Sequence, residues 1–149
     1  MQLYRLGVCH YADSLSGEGA KIYGGRWNSE GVPAVYFASS RALAVLEVLV
    51  HLPTGLLPKN YCMAIFEFDA EFAEFNPEDL PEKWQVYPFL KRTQTLGNQF
   101  FKQNEFPVLK VPSAIVSGDF NYVANPLHPY IKKIKFIEKV SFSFDDRLL

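Results

Sequence analysis

Between Ala42 and Leu52 every position is apolar except Glu47 and His51. A Ser ahead of this run supplies an N-cap, and Pro53 forbids continuation, so the segment is a helix. It has almost no face to offer to water and is expected to be buried nearly all round. Glu47 lies mid-helix, away from the first turn where a carboxylate would simply favour the dipole. Its same-face neighbours are Leu43, Ala44 and Val50. A carboxylate there needs a partner. Two arrangements supply one: a Glu47–His51 pair on a narrow solvated stripe, or a carboxylate facing a cleft, where desolvation and a bound cation or ligand set its behaviour.

The rest of the chain must be read around that helix. At 149 residues there is length for one domain, residues 1–149, with a sizeable core. Thirteen Phe, eight Tyr and two Trp favour strands, because aromatic rings fit a half-buried pleated surface. Strands are expected at Leu3–Val8, Val32–Ala38, Tyr61–Phe68 and Val108–Val116, with one or two more across Ile134–Phe144. A second helix is expected over Thr93–Asn104, with Thr93 as its cap. The stretch from Asp13 to Gly31 holds five of the nine glycines and reads as a long irregular loop of the functional kind. Strands and helices do not alternate regularly, so an α+β domain is expected rather than a doubly wound sheet.

Fifteen basic residues against sixteen acidic ones leave a net charge of -1, too little field to hold a polyphosphate backbone, so direct nucleic-acid binding is not expected. Cys9 and Cys62 are too few and too far apart in sequence for a disulfide scaffold and read as core thiols, which suits a reducing compartment. The N-terminus has no basic region followed by an apolar run, and no apolar stretch is long enough to span a membrane. A cytoplasmic location is expected.

Three further features carry chemistry. Tyr23-Gly24-Gly25-Arg26-Trp27-Asn28 places an Arg where glycines let the backbone approach a ligand, so Arg26 either grips a phosphate or carboxylate or is a surface Arg stacked on Trp27. There is no Walker loop and no dinucleotide fingerprint around it. Tyr36, near the end of its strand, either stacks on a flat heterocycle in a cleft or packs in the core. Ser113 is the one hydroxyl in an apolar strand and either bonds a neighbouring strand or faces the cleft, as Ser117 close by also can. No nucleophile elbow surrounds it, and His10, His51 and His128 lack metal-ligand spacing.

In order and spacing, Leu3-Tyr4-Arg5, Gly25-Arg26-Trp27-Asn28, Val35-Tyr36-Phe37-Ala38-Ser39, the helix segment Ala44–His51, Val111-Pro112-Ser113-Ala114, Asn121-Tyr122, Asn125–Pro129 and Asp146-Arg147-Leu148 resemble the RES domain, over essentially the whole chain. The resemblance implies an ADP-ribosyltransferase-like α+β fold with a mixed, strongly bent β core and flanking helices. It also implies the toxin of a bacterial toxin–antitoxin pair that consumes NAD+ as substrate, with no cofactor and no metal. By the same resemblance Arg26 and Arg5 hold the pyrophosphate or nearby ribose, Tyr36 packs on nicotinamide, Glu47 is the catalytic carboxylate and Ser113 positions the ribose or that carboxylate.

Expected first is degradation of NAD+ by hydrolysis or phosphorolysis of the nicotinamide–ribose bond. Protein ADP-ribosylation is the second reading, and a non-catalytic module that binds an antitoxin or another protein is the third. The implied partner is an Xre-type helix-turn-helix antitoxin that makes the DNA contacts and covers the cleft mouth near the Asp13–Gly31 loop. Assembly as a homo-oligomer or as a toxin–antitoxin hetero-oligomer stays open.

Overall fold

The computed structural model describes residues 1–53 and 55–148. Its strands are β1 (Gln2–Val8), β2 (Val35–Ala38), β3 (Tyr61–Glu67), β4 (Ala73–Glu74), β5 (Val108–Pro112), β6 (Phe120–Ala124) and β7 (Lys135–Phe142). The α-helices are α1 (Glu18–Tyr23), α2 (Arg41–Leu49) and α3 (Lys91–Gln103). All seven strands join one mixed sheet in the order β4-β5-β6-β2-β1-β3-β7. The β4–β5 pair is parallel and the others are antiparallel. This is the α+β architecture the sequence leads one to expect. Among the described residues, no helix is long and apolar enough to cross a membrane.

Side-chain alternation explains how the sheet is covered. In β3, Cys62, Ala64 and Phe66 enter one apolar cluster with Leu3, Val35 and Phe37, whereas Met63 and Ile65 enter another with Leu6, Leu43 and Ala44 of α2. Both faces of β3 are therefore buried, which is why Tyr61–Phe68 reads as a nearly unbroken apolar run rather than an alternating one. A third cluster joins Trp27, Trp84 and Phe100 to Leu109, Val111 and Val123. The β1–β2 junction is the thin place. Only Tyr4 and Ala38 pair across it, whereas β1 and β3 pair continuously from Gln2↔Glu67 to Val8↔Tyr61.

Several expectations are corrected. Helix α2 starts after Ser40, whose Oγ accepts from Leu43 N at 3.1 Å as an N-cap should, but the helix is not buried all round. Leu43 and Ala44 face the sheet, while Leu46 is 38% and Val50 54% exposed, because α2 packs on one side only. Thr93 is not the cap of α3: Leu90 is. The fully buried Thr93 hydroxyl instead donates to Leu90 O at 2.8 Å. The Asp13–Gly31 loop contains α1. The expected strand Val108–Val116 stops at Pro112, where Ser113 N donates to Asp119 O at 2.8 Å and the chain turns into β6.

Cys9 and Cys62 are not separate core thiols. They form a disulfide across a sequence separation of 53. The β1–β3 register places Gly7 opposite Cys62, and the ladder continues as Cys9 N donates to Asn60 O at 2.8 Å. The two sulfurs thus become diagonal neighbours, which linear spacing cannot reveal. The inference of a reducing compartment rested on free thiols and loses that support.

Candidate active site

A cavity of about 630 Å³ opens at the thin β1–β2 junction, lined by Tyr4 and Arg5 of β1, Tyr36 of β2, Glu47 in the last turn of α2 and His51 just beyond that helix, with Arg26 and Asn121 completing it. Its size is that of a small-molecule or cofactor site. Of the five residues singled out from sequence, Arg5, Arg26, Tyr36 and Glu47 line it. Ser113 lies just behind, only 4% exposed.

The turn that carries Arg26 is built tightly. Gly25 N donates to Asn28 O at 2.9 Å, and a Cβ on Gly25 would stand 2.8 Å from the Tyr36 hydroxyl, so only glycine leaves room for this approach. Helix α3 presses on the same turn: Gln94 Nε2 donates to Gly25 O at 3.0 Å and to Asn28 O at 3.2 Å. The buried Asn28 side chain is the hub. Its Nδ2 donates to Ala20 O at 2.8 Å and Val32 O at 2.9 Å, and its Oδ1 accepts from the Tyr36 hydroxyl at 2.6 Å. That hydroxyl also accepts from Trp27 N at 3.1 Å. Burial pushes the Tyr36 phenol well above its ordinary pKa, an effect the Trp27 N–H only partly offsets, so the ring is a fixed, neutral platform.

Arg26 is not a surface Arg stacked on Trp27. Its Nη1 donates to Trp84 O at 2.7 Å and Val86 O at 2.9 Å, and its guanidinium lies 5.2 Å from the Phe89 ring centre. It thereby ties down the 84–89 segment, which supplies Gln85, Tyr87 and Phe89 to the cavity wall. Burial pulls the Arg26 pKa down, and the Glu47 carboxylate opposes that shift. Arg5 Nη1 donates to the carbonyls of Tyr11, Ala12 and Ser14. Burial lowers the Arg5 pKa as well, with Asp13 opposing. Among the described residues, neither arginine has a protein acceptor on Nε or Nη2. Each keeps a set of donors for an anion.

Glu47 is not paired with His51. Its Oε1 accepts from Asn121 Nδ2 at 2.7 Å and, over a long 3.4 Å contact, from Ser113 Oγ. Ser113 Oγ itself accepts from Ile115 N and Val116 N, both at 3.1 Å, so the β5–β6 turn holds the hydroxyl that backs the carboxylate. Ser117 is exposed and takes no part in this contact. The His51 ring lies instead 5.4 Å from Tyr87 at the cavity wall. Sequence reasoning quoted Asn28 and Asn121 within motifs without giving either a role, and passed over Tyr87. For Asn121 a signal existed, since a polar residue in Phe120-Asn-Tyr-Val-Ala shares a strand face with Val123, but nothing local names its partner 74 residues away.

A carboxylate anchored on a helix, two arginines and a fixed phenol thus surround one cleft in the mixed sheet of an α+β domain. The RES domain family model matches residues 2–145, and the chain belongs to that family. It is 43% identical over 142 residues to the Prs ADP-ribosylating toxin of Sphingobium sp. (strain YBL2), covering 93% of this chain and 88% of that protein. It is 37% identical over 155 residues to Toxin Res of Photorhabdus laumondii, covering 100% of this chain and 97% of that protein. A chain in the crystal structure of the M. tuberculosis MbcT–MbcA toxin–antitoxin complex superposes with a TM-score of 0.75 at 22% identity, covering 95% of this chain and 84% of that one. That likeness is one of fold.

Proposed function

We propose that this protein is the toxin of a toxin–antitoxin pair and acts by cleaving the nicotinamide–ribose bond of NAD+. The observation that carries the reading is Glu47, held by Asn121 at 2.7 Å in a cavity it shares with Arg5, Arg26 and Tyr36. In the proposed step the bond from ribose C1′ to the nicotinamide nitrogen breaks, and its electron pair leaves with nicotinamide, which becomes neutral. Positive charge builds on the sugar carbon. A carboxylate hydrogen-bonded to the ribose hydroxyls stabilises that charge more in the transition state than in the ground state. The free donors of Arg5 and Arg26 suit the pyrophosphate, and the neutral Tyr36 ring suits nicotinamide. An acceptor then adds a lone pair to C1′ and releases its proton.

Water or phosphate as acceptor gives NAD+ degradation. Transfer to a protein is the second reading, favoured by the name of the Sphingobium relative, an ADP-ribosylating toxin. Such an activity requires restraint in the cell, for which we propose an Xre-type antitoxin covering the cleft mouth, with the toxin acting in the cytoplasm. Purified protein should release nicotinamide from NAD+, and Glu47→Gln should lower the rate at least about a hundredfold while preserving the fold. Near wild-type turnover in that variant would remove Glu47 from the mechanism. Labelled NAD+ separates the acceptors: label confined to small molecules means degradation, and label on a protein means transfer.

A further inference from the structure

Gln94, Gly97 and Asn98 stand at i, i+3 and i+4 on one face of α3, and all three meet the turn that carries Arg26. Gly97 lets the helix lie against Trp27 O. Asn98 holds Ser29, accepting from its N at 3.1 Å through Oδ1 and donating to its Oγ at 2.7 Å through Nδ2. Gln94 Nε2 donates to Gly25 O at 3.0 Å and to Asn28 O at 3.2 Å, one carbonyl on each side of Arg26. The first of these matters most. Gly25 O belongs to the planar peptide unit that ends at Arg26 N, so fixing that oxygen fixes the direction in which the Arg26 stem leaves the backbone.

The far end of Arg26 is held by the same stretch of chain. Its Nη1 donates to Trp84 O and Val86 O, and its guanidinium lies against Phe89. Leu90 caps α3 directly after Phe89, so residues 84–98 clasp Arg26 at both its backbone and its tip. An unanchored arginine side chain loses much rotamer freedom on gripping an anion, whereas one held at both ends has lost it before the ligand arrives.

We propose that Gln94 is a positioning residue for anion binding, holding Arg26 ready for the pyrophosphate although Gln94 is not among the residues that line the cavity. The assignment rests on the NAD+ reading for the ligand and on the two Gln94 hydrogen bonds for the geometry. A pyrophosphate is remote from the bond that breaks and is gripped alike in the ground state and the transition state. Loosening Arg26 therefore weakens binding rather than chemistry.

Gln94→Glu keeps the length of the side chain but turns a carboxylate toward two carbonyl oxygens, and Gln94→Met nearly keeps the length with no donor at all. In each, KM for NAD+ should rise about tenfold while kcat stays within about twofold of the wild type. The Trp27 N–H, which donates to the Tyr36 hydroxyl at 3.1 Å, reports on the turn without any ligand. Its hydrogen exchange should be at least about tenfold faster in both variants. A role in stability alone would lower the denaturation midpoint and the fraction of active protein, hence kcat, and leave KM as it was. Unchanged KM, a loss confined to kcat, or wild-type exchange at Trp27 overturns the assignment. If the wild type releases no nicotinamide from NAD+, the NAD+ reading fails, and the Trp27 exchange still decides whether Gln94 holds the turn.

Discussion

At the level of single residues, the site depends on groups that hold other groups still. Asn121 places one oxygen of Glu47 through a 2.7 Å hydrogen bond, while its own Oδ1 is buried without a protein partner among the described residues. Removing the amide frees the carboxylate to swing and desolvates it less favourably. Asn121→Ala is therefore expected to cut nicotinamide release at least about tenfold, and Asn121→Asp to cut it further by setting two carboxylates against each other. Activity in both variants equal to the wild type would show that Glu47 needs no such support.

Tyr36 gives a pH prediction. Its folded pKa is raised from the ordinary 10.0, so above that pH the unfolded chain releases a proton that the folded protein keeps. The stability from this group is complete below pH 10 and drains away as pH rises past it. Urea unfolding midpoints should fall more steeply above about pH 10 in the wild type than in Tyr36→Phe. Parallel curves would contradict the buried, neutral phenol.

Among the elements, α3 shows how a helix remote in sequence shapes the cleft. A Cβ on Gly97 would sit 1.7 Å from Trp27 O, a backbone atom that cannot turn aside, and Gln94 one turn earlier grips Gly25 and Asn28. Gly97→Ala should push α3 off the Arg26 turn and cost about 3 kcal/mol or more, read as a drop in the denaturation midpoint. An unchanged midpoint would mean that the helix and turn separate easily. The position of α3 was legible in the sequence, but its contact was not. Thr93 illustrates the difference: its place near a helix start suggests a cap, yet burial in the native packing turned its hydroxyl to Leu90 O. Likewise α2 was legible from its Ser cap and Pro53, whereas the exposure of Leu46 and Val50 follows from what lies beside the helix rather than from its composition.

Over the whole molecule, the Cys9–Cys62 disulfide ties the Tyr11 loop to β3 across a 53-residue separation. Cross-linking a loop of that length restricts the unfolded chain, so Cys9→Ser should lower stability by about 2–4 kcal/mol. Chemical denaturation of the wild type with and without a dithiol reductant checks it, and coincident curves would show that the bond adds nothing.

The sequence by itself determined α2 with Glu47 as its one acidic residue, the buried run of β3 and the α+β class, and it singled out Arg5, Arg26, Tyr36, Glu47 and Ser113 as candidates. Each of those is a local pattern, set by capping chemistry, by hydrophobic period or by motifs carried in order along the chain. Tertiary structure alone decided which partners those residues meet: Asn121 rather than His51 for Glu47, the Trp84 and Val86 carbonyls for Arg26, and Cys62 for Cys9. These pairings depend on strand register and on how helices pack. Both are fixed by the collective burial of side chains far apart in sequence, which no local window contains.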